Sequence, residues 1–372
     1  MKGIPMQSQD MTGPLQGIRI VEFVGIGPGP FAAMMLADMG AEIVSIARPD
    51  TGIKTPEDFI FRGRRVVELD LKDEEDRLRA FDLACAADVV IEGFRPGVME
   101  RMGLGPDRLA ARNRALVYAR MTGWGQAGPL ARIAGHDINY IALTGALDSI
   151  RCSDGAPVAP LNLVGDYGGG SLYLVVGVLA ALIEARRTGC GQTVDAAICD
   201  GVSHMLSTFY SLRARDRWSD TPGTNILDGG AHFYGTYRCS DGKFIALGAI
   251  EPQFYAILCE KLGLDHDPRR QMEQSDWSGL RGRFADIVAG KTRAEWEAIF
   301  DGSDACFAPV LSLDEASRHP HMIERGVHRV ERDVVQPAPA PRFSNHPSAG
   351  PRPVAQSRTS AEAILSEWRQ QA

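Results

Sequence analysis

The chain reads as an α/β protein, with a large domain on a mostly parallel sheet followed by a smaller α+β domain. Three observations predict this. β-Branched apolar runs alternate with helical stretches as far as Met121, and a glycine-rich turn follows the first of them. At Trp218–Gly230 the composition breaks, and beyond it a hairpin and several helices replace the alternation.

The elements follow in order. Ile18–Phe23 is a strand, Gly25–Pro30 a glycine-rich turn, Phe31–Met39 a helix and Ala41–Ala47 a second strand, together a βαβ unit. Val66–Leu71, Ala87–Glu92 and Ala115–Met121 continue the strands, with the helix Asp73–Ala84 between the first two. Parallel neighbours need crossover connections, and this alternation supplies them. Gly123–Pro129 is a turn-rich loop, and Ile138–Leu147 is a helix. Asp166 falls in a glycine-rich turn just before the helix Leu172–Arg187; Thr193–Cys199 follows, then a helix over Asp200–Arg215. Past the linker, strands His232–Cys239 and Lys243–Leu247 are joined by the turn Ser240–Lys243. Helices are predicted at Gln253–Leu262, Gly279–Ala289 and Arg293–Phe300. Proline-rich Gln336–Pro353 is an extended arm, and a short helix Ala361–Trp368 closes the chain.

Composition bounds the function. The 372 residues are 44% hydrophobic and 23% charged, an ordinary soluble balance, and exceed what one ordinary core holds. A net charge of −7 gives no general reason to bind nucleic acid or membrane. The most apolar run, Leu172–Ile183, has 12 residues, short for a bilayer span. Met1–Thr12 is polar, without the apolar segment of a signal peptide, and Trp368–Ala372 is not a peroxisomal tripeptide. The 7 cysteines are scattered and never form C-x-x-C, which argues against a disulfide framework or structural zinc. A cytoplasmic location is the expectation.

Three acid/base side chains stand in apolar, glycine-flanked settings: His136, Asp166 and Glu251. Such settings cost desolvation energy, so these groups are paired or employed. One alone would be a satisfied core group; three beside glycine turns point to a catalytic site. A carboxylate and an imidazole facing one another across a substrate carbon can exchange a proton, one removing it and the other delivering one to the opposite face. A backbone N–H in Gly135–Asp137 would hold the developing enolate oxygen, and Glu251 would orient His136 through its other ring nitrogen. The helix N-terminus after Asp166 would stabilise its carboxylate.

The turn Gly25–Pro30 begins like a dinucleotide fingerprint, but Pro30 takes the third glycine position and Arg48 ends the second strand where an acidic residue would hold a ribose. That disfavours NAD and suits a phosphate. Arg62, Arg64 and Arg65 near the third strand, and Arg95 and Arg101 after the fourth, are expected to share that crevice and form a polyphosphate pocket.

These stretches resemble a known family. Gly13–Glu22, Gly25–Pro30, Ile91–Gly97, Tyr118–Gln126, Gly135–Tyr140, Leu161–Gly170, Leu227–Ala231 and Gly248–Tyr255 are similar to the class III coenzyme A transferase (CaiB/BaiF) superfamily, and within it to the α-methylacyl-CoA racemase branch. The resemblance implies a Rossmann-like large domain (13–217, with the arm 321–372 returning to it), a linker at 218–230, a small domain at 231–320, and an interlocked homodimer with its site at the subunit interface. It makes His136 and Asp166 the catalytic pair, with Glu251 arriving from the other subunit. Coenzyme A contacts fall on Arg48, on Leu69, Asp70, Leu71 and Lys72, on Gly93, Phe94 and Arg95, on Arg101, and on Gly135, Asp137, Ile138, Asn139 and Tyr140. Met205 is a candidate for the acyl path. The implied substrate is a 2-methylacyl-CoA thioester, with branched fatty acyl, sterol side-chain or arylpropionyl groups all conceivable. No metal or separate cofactor is implied, since the thioester itself acidifies the α-proton. Transferases of the superfamily use the aspartate at the place of Asp166 as a nucleophile, which is the alternative reading. They generally lack the histidine of Gly-His-Asp and the Ile-Glu-Pro-Gln stretch, both present here.

Overall fold

Apolar runs without alternation make strands that are buried on both faces, and such runs form the middle of a sheet of six strands in the computed structural model. The strands are β1 (Arg19–Phe23), β2 (Glu42–Ala47), β3 (Arg64–Glu68), β4 (Val89–Glu92), β5 (Val117–Thr122) and β6 (Thr193–Ala197), ordered β3-β2-β1-β4-β5-β6. Every pair is parallel. The sequence predicts the parallel sheet, and the order is doubly wound: it reverses between β1 and β4, so a crevice opens beyond the carboxyl ends of those two strands. The structure describes residues 12–51, 54–151, 155–265, 267–331, 333–346 and 350–371; of the polar N-terminal stretch only Thr12 is among them.

The described residues fall into two units. The first gathers those within Met1–Ala146, Pro160–Leu206 and Ile323–Ala372, the second those within Leu147–Ala159 and Ser207–Met322. In the first unit the helix Glu74–Cys85 starts at Asp73, whose carboxylate accepts the Asp76 N–H at 3.0 Å, with three acidic residues in its first turn to suit the helix dipole. Its Ala80, Leu83 and Ala84 pack with Ile364 and Trp368 of the C-terminal helix Ala361–Gln370. The chain leading into that helix covers the β3 edge: Gly63 N–H donates to the Pro353 carbonyl at 3.0 Å, and Thr359 N–H to that of Val66 at 2.9 Å. An edge so covered cannot recruit another strand.

β3 begins at Arg64, earlier than the predicted Val66, and this corrects the expected pocket. Arg62, Arg64 and Arg65 lie at the amino end of the strand, away from the crevice, and each is paired. Arg62 meets Asp38 at 2.5 Å, Arg64 meets Glu22 at 2.7 Å, and Arg65 meets Glu42 at 3.0 Å and Glu367 at 2.6 Å. They tie the sheet to its helices and are not available to a phosphate.

A second correction concerns Asp166. The predicted glycine turn is a π-helical stretch, Leu163–Leu172, running unbroken into the α-helix Tyr173–Thr188. The Tyr167 N–H donates to the Asn162 carbonyl at 3.3 Å, one residue wider than an α-helical bond. The glycines serve close packing here. A Cβ on Gly169 would lie 2.4 Å from Val202 Cγ2, and one on Gly201 would lie 1.9 Å from the Gly169 carbonyl oxygen. The facing helix, Ile198–Met205, ends before a separate helix Ser207–Arg213, where one helix over Asp200–Arg215 was expected. The joined segment Leu163–Thr188 has 26 residues, and its most apolar 18-residue window has a mean hydropathy of 1.7, enough to cross a bilayer by length and composition; half of that window is buried within the protein. The expected 12-residue limit therefore does not hold. The helix predicted over Ile138–Leu147 is also divided, into Asp137–Leu143 and Ala146–Ser149.

The second unit carries an antiparallel sheet of β7 (Tyr234–Arg238), β8 (Phe244–Gly248) and β9 (Phe307–Val310) with the helices Pro252–Leu262, Gln274–Ala289 and Arg293–Phe300. Phe233, Tyr255, Leu258 and Phe284 are fully buried in its core, and His232 bonds the Tyr255 hydroxyl at 2.7 Å. β9 and the hairpin β10 (His328–Glu331) with β11 (Val334–Pro337) are absent from the sequence reading. They are four-residue strands, too short for a pattern to register.

Arg64 and Glu22 are both 1% exposed, so Arg64→Met would strand a buried carboxylate. Breaking such a pair costs about 3–5 kcal/mol, whereas neutralising both partners is far milder. Urea denaturation is expected to show a loss of that size in Arg64→Met and substantial recovery in the double variant Arg64→Met, Glu22→Gln.

Candidate active site

Asp166 sits in the first turn of the π-helical stretch, where backbone N–H groups lack partners within the helix. Its own N–H donates to Asp137 Oδ2 at 2.7 Å, and its Oδ2 accepts from the Asn162 side-chain amide at 3.3 Å. The same oxygen would lie 3.0 Å from a Cβ built on Gly27, so the carboxylate reaches the turn after β1, at the crevice. Two contacts hold the π stretch against that turn. Ser171 donates from Oγ to the Pro28 carbonyl at 2.7 Å, and Tyr167 stacks on Phe31 with centroids 4.3 Å apart.

His136 caps the helix Asp137–Leu143 from its N-cap position, and its backbone N–H donates to Asn139 Oδ1 at 3.0 Å. Tyr140 on the same helix donates its hydroxyl to the Gly135 carbonyl and meets Trp124 edge-on at 4.7 Å, which clamps the Gly-His-Asp turn onto the loop after β5. Because Asp137 follows His136 directly, its bond to the Asp166 backbone joins the two acid/base residues.

The electrostatics correct one expectation. Burial pushes the Asp166 carboxyl above the usual carboxylate range; the Asn162 amide pulls it back, Asp137 raises it further and His136 lowers it. Burial thus outweighs the Asn162 amide, and the expected lowering of this carboxyl is not seen. Tyr140 is raised as well, by burial first and then by Asp166, with Arg95 opposing. The predicted desolvation holds for half-buried Asp166 only, since His136 and Glu251 are exposed in this chain. Glu251 belongs to the second unit, at the N-cap of Pro252–Leu262, where it helps raise the Cys306 thiol.

The remaining predicted contacts sort by location. Arg48 ends β2, Leu69–Lys72 follow β3, and Gly93–Arg95 follow β4, all on the crevice side of the sheet. Arg48, Arg95 and Arg101 are exposed, and among the described residues none is hydrogen-bonded or ion-paired through its guanidinium. Leu69 is 4% exposed and packs in the core, which leaves only its backbone to a ligand. Asp70 accepts the Lys72 N–H at 3.0 Å and shapes that turn. Asp137 is buried, while Ile138 and Asn139 are exposed. Met205 Cε would lie 3.4 Å from a Cβ on Gly168, so it lines the segment that carries Asp166.

Two site neighbours escape the sequence reading. Asn162, four residues before Asp166, is placed beside it by the helix. Glu92, at the carboxyl end of β4, is 3% exposed and accepts the Phe94 N–H at 2.7 Å. Burial pushes its carboxyl up to about 7, against the Phe94 N–H and Arg120 and with help from Glu100 and Asp195. A carboxyl raised in the folded state favours folding most below its unfolded pKa of about 4.5, and that contribution is lost as pH rises to about 7. The melting temperature of the wild type relative to Glu92→Gln is therefore expected to fall between pH 4.5 and 7 and to level off above, as read by circular dichroism.

The comparisons with known proteins accord with this geometry. Residues 15–359 match the model of CoA-transferase family III. The chain is 45% identical to the alpha-methylacyl-CoA racemase of Mus musculus and 46% identical to that of Homo sapiens, in each case over 90% of this chain and 87% of the relative. A CAIB/BAIF family protein from Brucella suis has the same fold, with a TM-score of 0.78 at 25% identity over 96% of this chain and 100% of that one. By its sequence and its fold, the chain belongs to CoA-transferase family III.

Proposed function

We propose that the protein interconverts the 2R and 2S epimers of 2-methylacyl-CoA thioesters by removing and replacing the α-proton. The observation that carries this reading is a half-buried Asp166 whose carboxyl is raised and whose backbone N–H is bonded to Asp137, the residue after His136. A two-base exchange must run in both directions, so each group has to serve as donor and as acceptor. A raised carboxyl narrows the gap to an imidazole, which titrates near neutrality, and makes the two protonation states more nearly interchangeable. One residue takes the α-proton and the other returns one to the opposite face. A backbone N–H of the Gly135–Asp137 turn other than that of His136, which is donated to Asn139, holds the enolate oxygen between these steps.

Unpaired Arg48, Arg95 and Arg101 bind the phosphates of coenzyme A, and Met205 borders the acyl chain. In this reading two copies associate, and Glu251 crosses to orient His136; the apolar, exposed Leu172, Val176 and Ile183 on one long helix support association. The thioester supplies the acidity, so the reaction calls for no further cofactor, and a cytoplasmic location suits the unpaired cysteines.

The test is deuterium uptake at the α-carbon of a single epimer in heavy water, with no acceptor acid. Exchange together with appearance of the other epimer is expected. His136→Ala and Asp166→Ala should each reduce both by about 10²-fold or more while coenzyme A still binds, and Glu251→Ala less. No exchange, but coenzyme A transfer once a free carboxylic acid is supplied, would instead make Asp166 a nucleophile.

A further inference from the structure

Arg120 is buried on β5 and takes no part in the chemistry above, yet it touches three segments at the carboxyl ends of the sheet. Its Nη2 donates to Glu100, its Nη1 donates to Gln126 Oε1 at 2.6 Å, and its Nε faces Glu92 Oε1 at 3.7 Å with no hydrogen-bond partner. Gln126 in turn donates its backbone N–H to Asp195 Oδ2 at 3.3 Å. Glu92 accepts the Phe94 N–H, and Glu100 stands on the short helix Val98–Arg101 beside Arg101. The network therefore grips the segment Gly93–Arg101 near both ends, and the unpaired guanidinium groups of Arg95 and Arg101 lie within the grip.

Stability does not call for such an arrangement. A buried cation loses several kcal/mol of hydration, and apolar replacements of buried ion pairs are often neutral or stabilising. What the network supplies is position. We propose that Arg120, with Glu92 and Glu100, is a brace that fixes Arg95 and Arg101 for the phosphates of the coenzyme A thioester; these are positioning residues that do not touch the reacting atoms. The proposal rests on the coenzyme A reading above.

The experiment measures coenzyme A binding by titration calorimetry, and KM and kcat for a 2-methylacyl-CoA, in the wild type, Arg120→Met, Arg120→Lys and Glu100→Ala. Glu100 is half-exposed, so its variant probes the brace even where Arg120→Met fails to fold. Coenzyme A affinity is expected to fall about tenfold in all three, with KM rising to match and kcat within about twofold of the wild type. Lysine should not rescue, because a single ammonium cannot reach Glu100 and Gln126 together as the planar fork does. An unchanged KM in the variants, with a wild type that binds coenzyme A, would overturn the brace alone. So would a loss of kcat that tracks a lowered melting temperature. If the wild type binds no coenzyme A, the functional reading falls and the role in affinity falls with it.

Discussion

Gly169 and Gly201 meet so closely that neither position has room for a methyl group, and the place of Asp166 follows from that contact. Ile198–Met205 presses into the π-helical stretch, and Ser171 ties the same stretch to Pro28 in the turn after β1. Once these distances are set, the first turn of the long helix can only point its carboxylate at Gly27 and the crevice. A π segment is rare because its wider ring packs poorly, and such segments concentrate at functional sites. Here the extra residue carries Asp166 into register with the N–H acceptor that Asp137 provides.

Charge in the first unit separates into two populations, and the separation is what identifies a ligand site. At the amino end of β3 every arginine has its carboxylate, so those charges are cancelled within the fold. Beyond the carboxyl ends, Arg48, Arg95 and Arg101 have none, in a protein whose net charge is −7. Unpaired cations at the end where a doubly wound sheet opens its crevice are what the proposed binding of coenzyme A phosphates rests on. Sequence position alone could not distinguish the two groups, because Arg62 and Arg95 both stand at strand boundaries and the boundary of β3 had to be known first.

The alternation of strand and helix in the first half was legible because strands buried on both faces must be continuously apolar, whereas the order of the sheet is known only from the structure. His136 and Asp166 stood out as candidates because acid/base residues in glycine-flanked apolar runs need a reason. The glycines around Asp166 misled: glycine marks a turn and a close helix contact with the same residue, and only the facing Ile198–Met205 helix tells them apart. Glu92 and Arg120 were hidden because each sits at the end of an apolar strand, where a single charge reads as the end of the element. The helix Leu313–Arg318 carried a usable signal, since Ser312 and Glu315 form a capping box, the same spacing that starts Arg293–Phe300 at Thr292 and Glu295.

The two chemistries open to this family place opposite demands on Asp166. A nucleophile has to be ionised and free to form a bond, so a site built for transfer gains from lowering the carboxyl. A base that must also return a proton gains from raising it. Helix termini with their unpaired N–H groups ordinarily stabilise a carboxylate. Here the first-turn N–H of Asp166 is given to Asp137, a second negative group, and burial does the rest, so that the local structure works against ionisation. The arrangement spends its best anion-stabilising donor on joining the two acid/base residues, and that use favours proton exchange over nucleophilic attack.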